Sequence, residues 1–154
     1  MKCPSTWHSE LSADDSNDSF IVLGVLHSTT GFAKYASIAA YDWPKLAPVG
    51  DSSDIQLLNS AAFYLGDRNP ATKNLYAVKF SRKCPQDDSG ELCLVIPAYS
   101  DKPSESSLSY GSPVIFIERS YLNPATKSGP SVEETILPVL LHTRTKQDGN
   151  FEML

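Results

Sequence analysis

The strongest constraint on the fold of this chain is a two-residue alternation of side-chain character in segment 75–83, which is clean from Tyr76 to Ser81. The apolar side is formed by Tyr76, Val78 and Phe80. The opposite side is formed by Ala77, Lys79, Ser81 and Lys83. This period of two is typical of a half-buried strand in an antiparallel sheet, so the segment is predicted to be one.

Several other apolar stretches predict strands, and Pro-, Gly- or Ser-rich stretches between them predict loops. In segment 20–27 both faces are largely apolar, which indicates a buried strand. The further predicted strands are 31–43, 55–67, 91–100 and 113–123. The predicted loops are 43–54, 101–112 and 124–131, with a turn at 68–74 that makes 55–83 a hairpin.

The C-terminal segment 132–146 admits two interpretations. Ser131 and Glu134 have the spacing of a helix capping box, and this favours a helix. Pro138 opposes it, because an interior proline costs about 3 kcal/mol and kinks a helix. The alternative is a short strand in which the proline requires an edge position. We favour the kinked helix, so the predicted fold class is α+β: an antiparallel β-sheet with an N-terminal β-hairpin and a short C-terminal helical region.

Composition limits the classes of protein that remain. A chain of 154 residues is predicted to form one domain, 1–154, and its polar N-terminal residues 1–19 are predicted to be a flexible arm. Eleven prolines exclude a long coiled coil. The net charge of −5 excludes a uniformly basic nucleic-acid module. No apolar stretch reaches the 18 or more residues of a membrane span, so no membrane partner is expected.

The three cysteines are Cys3, Cys84 and Cys93. An odd number argues against a secreted disulfide scaffold. Cys84 and Cys93 flank a turn-like segment and could form a bridge, but two free thiols are the simpler expectation. Whether they are bridged stays open at this stage.

Common catalytic signatures are missing from the sequence. It has no phosphate-binding glycine loop, no nucleophile elbow and no zinc-protease or calcium-binding motif. The histidines His8, His27 and His142 are far apart in the chain and none stands out as catalytic. The protein is therefore predicted not to be an enzyme and to need neither cofactor nor metal ion.

Two groups of residues could bind RNA. Basic side chains are concentrated within and before the strand 75–83, where lysines on one sheet face would contact phosphates. The second group lies in segment 119–123, where an arginine, a tyrosine and an asparagine alternate onto one face that could stack on and hydrogen-bond to bases. The candidate RNA-binding residues are Arg68, Lys73, Lys79, Lys83, Arg119, Tyr121 and Asn123.

The order of elements resembles the coat proteins of single-stranded RNA bacteriophages. The likeness is carried by GFAKYAS at 31–37, RSYLN at 119–123 and DGN at 148–150. It implies a coat subunit that dimerises and self-assembles into an icosahedral capsid around genomic single-stranded RNA, in a virion assembled in the host cytoplasm. It also implies that Tyr121 and Asn123 match RNA-contacting positions.

A second resemblance is to the head domains of adenovirus-like fibres, which are trimeric β-sandwiches that bind receptors or sugars. Segments 20–40 and 95–118 are similar to early and middle strands of that family. The two resemblances differ at the C-terminal segment: a helix over 132–146 favours the coat protein, and a strand there favours the β-sandwich.

Overall fold

Two β-sheets packed face to face form the protein. The computed structural model describes residues 7–10, 18–43, 45–86, 89–98, 108, 112–122, 125–128, 133, 135–145 and 151–153. The strands are β1 (Trp7–Glu10), β2 (Asp18–Val25), β3 (Tyr35–Asp42), β4 (Ala47–Ser53), β5 (Leu75–Ser81), β6 (Cys93–Val95), β7 (Pro113–Tyr121), β8 (Val139–Thr145) and β9 (Phe151–Met153). The helices are α1 (Asp54–Leu57), α2 (Ala62–Leu65) and a 3-10 helix (Pro70–Asn74).

The two sheets have different strand orders. Sheet A runs β1-β7-β3-β4, and sheet B runs β6-β5-β2-β8-β9. All neighbours are antiparallel except β5 and β6, which are parallel. The predicted α+β class, mostly antiparallel sheet with little helix, is confirmed. The predicted N-terminal arm contains β1, which pairs with β7.

The core lies between the sheets and is built from the inward-facing residues of both. Phe20 and Phe80 of sheet B pack against Phe116 of sheet A, with ring centroids 5.4 Å and 5.0 Å apart. All three are fully buried. Burying side chains of this size contributes very roughly 1.5–3 kcal/mol each before the entropy cost, so this aromatic contact fixes how the sheets face each other.

The alternation in 75–83 predicted β5 correctly. Tyr76, Val78 and Phe80 belong to the core, and Ala77 and Ser81 lie on the outer side of sheet B. Ala77 and Ser81 are also buried, because other parts of the chain cover the outer side of β5. The Ala77 amide donates to the Ser60 hydroxyl at 3.0 Å, which places the segment after α1 against the strand.

The helix predicted over 132–146 is wrong, because 139–145 forms β8. This strand pairs with β2 from Leu23↔Val139 to Asp18↔Arg144, and backbone pairing with β2 replaces the local bonds of a helix. Pro138 is buried immediately before the strand, where its missing N–H interrupts no ladder bond. The helices of this α+β fold lie instead between β4 and β5.

The loop predicted over 43–54 is also wrong, since Ala47–Ser53 forms β4. β4 is the edge strand of sheet A, and an edge accommodates Pro48. The register shifts between Ala40 and Tyr41, so that Ala40 pairs with Gly50 and Tyr41 with Pro48. This bulge adapts the proline-containing strand to the regular β3.

The strand predicted over 55–67 is replaced by α1 and α2, so the predicted hairpin 55–83 does not form. α1 begins at a cap in which the Gln56 side chain accepts a hydrogen bond from the Ser53 N–H at 3.1 Å. The neighbours of β5 are β2 and β6 rather than the preceding segment.

Cys84 and Cys93 are joined by a disulfide, so the expectation of two free thiols is wrong. The bridge ties the start of β6 to the chain that leaves β5. None of the helices in the described part of the chain is long and apolar enough to cross a membrane.

Candidate functional site

A row of aromatic and polar side chains covers the outer side of sheet A. Alternation along β3 and β7 sends one set of residues into the core and the other set to the outer side of sheet A, where Ala39 and Ile115 are nonetheless buried. Opposite Tyr35 on β3 lies Tyr121 on β7, and opposite Ser37 lies Arg119. We call the aromatic and polar members of the outward-facing set the tyrosine face; they are Tyr35, Ser37, Tyr41, Asp51, Arg119 and Tyr121.

A cross-strand pair of tyrosines lies at one end of the tyrosine face, where the β3–β7 ladder ends. The rings of Tyr35 and Tyr121 lie 5.3 Å apart and are inclined at 58°. Tyr121 is 52% exposed and Tyr35 is 37% exposed, so both rings remain open to solvent while they contact each other. Backbone pairing of β3 with β7 fixes their positions, which makes this a preformed aromatic surface.

Two charged side chains, one on β7 and one on β4, also belong to the tyrosine face. The Arg119 guanidinium lies 5.3 Å from the centre of the Tyr41 ring, within the range of a cation–π contact. Asp51 of β4 pairs with Ala39 and is exposed on the same side. The face thus offers aromatic surface, one cationic donor and one anionic acceptor.

The predicted RNA-binding residues do not form one surface. Arg119 and Tyr121 share the tyrosine face of sheet A, whereas Lys79 projects from the outer side of sheet B. Lys73 and Lys83 lie before and after β5, whose seven residues separate them by roughly 20 Å. Arg68 lies in the turn before the 3-10 helix, and Asn123 is outside the described residues.

Lys79 already has a partner. Its ammonium lies 3.3 Å from Glu91, and Glu91 also accepts a 2.6 Å hydrogen bond from the Tyr64 hydroxyl. Burial, and then the contact with Glu91, raise the pKa of Tyr64. This network ties α2 to the segment before β6, so Lys79 serves the fold and is poorly placed for phosphate.

The outer side of sheet B is apolar rather than basic. Ile21 and Leu23 of β2 pair with Leu141 and Val139 of β8 on this side. Val139 is 54% exposed, and Ile136 and Leu137 just before it are also exposed. We call the outward-facing Ile21, Leu23, Val139 and Leu141, together with the exposed Ile136 and Leu137 that precede β8, the apolar face.

Two of the three histidines lie among the described side chains; His27 is buried and His142 is partly buried. His142 has Nε2 3.8 Å from Asp18 Oδ2, and its ring stacks on Phe20 at 4.5 Å. The neighbouring hydroxyls of Ser19 and Thr143 bond to each other on the opposite side of the sheet. His27 is buried after β2, and burial lowers its pKa.

A buried acid lies directly behind the tyrosine face. Glu118 projects from β7 into the core and is 7% exposed. Burial raises its pKa to about 7, and the Tyr76 hydroxyl opposes part of that rise. Burial and then the charge of Glu118 raise the pKa of Tyr76. Within the described part of the chain, no cluster of His, Cys, Asp and Glu could hold a metal ion.

Comparison with protein-family models, with curated proteins and with solved structures finds no match to this chain. Its function is therefore inferred from geometry. The sequence identified Arg119 and Tyr121 but missed Tyr35, Tyr41 and Asp51. The alternation of Tyr35, Ser37, Ala39 and Tyr41 could have indicated the two tyrosines. It does not show that they lie opposite β7, because β7 is far along the chain.

Proposed function

We propose that the protein is a non-enzymatic binding protein that recognises carbohydrate through the tyrosine face, as in a trimeric viral fibre head. The exposed Tyr35–Tyr121 pair carries the proposal. The faces of a sugar ring present C–H groups that pack on aromatic rings, and its hydroxyls hydrogen-bond to charged side chains. Arg119, opposite Ser37, supplies such a group next along the same face, and Asp51 supplies another further along it on β4.

The architecture supports this proposal over the coat-protein interpretation. The C-terminal segment separates the two, and its strand β8 favours a β-sandwich. Two facing sheets enclose the core, as the fibre-head resemblance implies. The Cys84–Cys93 bridge also fits a protein exposed to an oxidising environment, where disulfides form and persist.

The charges of the tyrosine face favour a sugar over RNA. Affinity for RNA depends on several cationic contacts to phosphates. This face combines Arg119 with Asp51, and Lys79 is on the other sheet in contact with Glu91. A sugar without a long run of negative charge fits this balanced surface better than a polyanion does.

The test is a glycan-array screen of the purified protein, followed by titration of the strongest oligosaccharide. Tyr121→Ala removes one ring of the pair and should weaken binding about tenfold, a loss of roughly 1.4 kcal/mol. The matched control is Phe63→Ala, which removes an exposed ring of α2 away from the tyrosine face. Absence of binding to all oligosaccharides, or equal losses in the two variants, would refute the proposal.

A second candidate function is a self-assembling coat subunit that encloses RNA. The exposed apolar face of sheet B favours it, because a water-exposed apolar sheet surface is typical of an association site. Arg119 and Tyr121 would then contact unpaired bases. Electron microscopy of the purified protein, with assay of co-purifying RNA, tests this candidate.

A further inference from the structure

Glu118 is placed where its ionisation would act on the tyrosine face. It lies three residues before Tyr121 on β7, and Arg119 follows it directly. Arg119 and Tyr121 point outward, whereas Glu118 points into the core. Among the described residues, its Oε1 atom has no hydrogen-bond partner.

The surroundings of Glu118 provide no positive charge. From sheet B, Tyr76 of β5 faces it, and the Tyr76 ring lies over Gly24 of β2. Its pairing partner in sheet A is the apolar Ile38 of β3. Tyr76 is thus the titratable group that faces the carboxyl from the described elements, and an ionised Glu118 would lie in the core without a counter-ion.

Only a short length of ladder separates Glu118 from the end of sheet A. Beyond its own pair, β3 and β7 are joined by Ser37↔Arg119, Ala36↔Ser120 and Tyr35↔Tyr121. The Lys34 amide then donates to the Tyr121 carbonyl at 3.1 Å. Terminal pairs of a ladder open locally at little cost, and such opening would admit water to the carboxyl.

We infer that Glu118 is a pH-dependent positioning residue for the tyrosine face: its neutral form keeps the end of the β3–β7 ladder closed, and its ionised form opens it. The ring pair is then assembled in mildly acidic solution and separated in mildly alkaline solution. The expected pH dependence of ligand binding rests on the proposed carbohydrate binding, whereas the expected separation of the two tyrosine rings does not.

The direction of this pH dependence follows from the buried environment of Glu118. Burial raises the pKa of Glu118 from 4.5 to about 7, so the closed form retains the proton over a range in which an open carboxyl loses it. The stabilising effect of the neutral group is complete below the ordinary pKa and is lost as the pH rises through about 7. The tyrosine face should therefore loosen on the alkaline side.

The first test needs no ligand. With 13C-labelled tyrosine, the ring signals of Tyr35 and Tyr121 are assigned by Phe substitution and followed from pH 5 to pH 9 by NMR. They should shift together with a midpoint near 7 in the wild type and stay constant in Glu118→Gln. Rings that do not titrate, or that titrate equally in Glu118→Gln, would overturn the inference and point in the latter case to a histidine.

A second variant keeps the test decisive if Glu118→Gln does not fold. Tyr76→Phe removes the hydroxyl that lowers the pKa of Glu118, so the midpoint of the ring signals should move to higher pH. An unchanged or lowered midpoint would contradict the assignment to Glu118.

The ligand test uses the oligosaccharide selected on the array. If only the neutral form holds the face closed, the apparent Kd should rise about tenfold between pH 6 and pH 8, because the competent fraction falls by that factor. Glu118→Gln should bind equally at both values. If no oligosaccharide binds but the rings titrate as expected, the carbohydrate proposal fails and the inference about Glu118 stands.

Discussion

At the scale of single residues, Gly24 shows how closely the interior is fitted. It lies on the inner side of β2, directly paired with Tyr76 of β5. A Cβ atom at position 24 would lie 2.6 Å from the Tyr76 hydroxyl and 2.7 Å from two ring carbons. The tyrosine ring thus occupies the space that a side chain would need, and glycine is required for packing.

Substitution of Gly24 by alanine should therefore destabilise the protein. The Tyr76 ring would have to move within a filled core, and overpacking of this kind costs typically 1–3 kcal/mol. We expect Gly24→Ala to lower the free energy of unfolding by about that amount in urea denaturation.

The matched control is Gly50→Ala in β4. A Cβ atom there would meet Phe80 at 3.8 Å, an ordinary van der Waals contact, so its stability should stay within about 0.5 kcal/mol of the wild type. Equal losses in the two variants would show that general strand effects of alanine, rather than the Tyr76 ring, determine the cost.

At the scale of elements, alternation predicted strands well where one face is buried. β3, β5, β6 and β7 lie within predicted strand segments, and β2 begins two residues before the predicted strand 20–27. The segment of α1 and α2 was misassigned because each helix has four residues, about one turn. One turn is too short to show a helical period, and its Ile, Leu, Phe and Tyr side chains fit a strand equally well.

The predictions for the two proline-containing segments, 43–54 and 132–146, were wrong for another reason. Pro48 predicts a loop and Pro138 a kink in a helix, but Pro48 lies on the edge strand β4 and Pro138 immediately before β8. Whether a proline interrupts a ladder depends on where its strand lies in the sheet. That position is set by pairing with β3 and β2, which local sequence does not reveal.

The Cys84–Cys93 disulfide leads to a prediction about stability. β6 has three residues and pairs only with β5, so the Cys84–Cys93 bridge is a large part of what holds it. A bridge across about ten residues stabilises by roughly 2.7 kcal/mol on the chain-entropy estimate. The double variant Cys84→Ser/Cys93→Ser should unfold at lower temperature by differential scanning calorimetry.

Reductant supplies the control for this prediction. It should lower the unfolding temperature of the wild type to about that of the double variant and leave the double variant unchanged. A wild type insensitive to reductant under conditions that reduce the bridge would show that β6 is held without it.

At the scale of the whole molecule, only some residues of the candidate site could be predicted from the sequence. Arg119 and Tyr121 follow from alternation within one strand. Tyr35 joins them only through the β3–β7 register, which pairs residues far apart in the chain. The same long-range arrangement places Lys79 on the other sheet, which no pattern within β5 indicates. Faces of single strands were predictable, and the combination of strands into surfaces was not.

The apolar face of sheet B allows a last prediction about assembly. If copies of the chain associate through this face, as the coat-subunit candidate requires, a charge at its exposed centre should prevent association because it would be buried without a partner. We expect Val139→Asp to sediment as a monomer and to form no particles by electron microscopy. Ile55→Asp, at a position of α1 that is 78% exposed and outside the apolar face, should behave as the wild type does. A monomeric wild type, or association that survives Val139→Asp, would exclude this face as the contact and leave the tyrosine face as the functional surface of the sandwich.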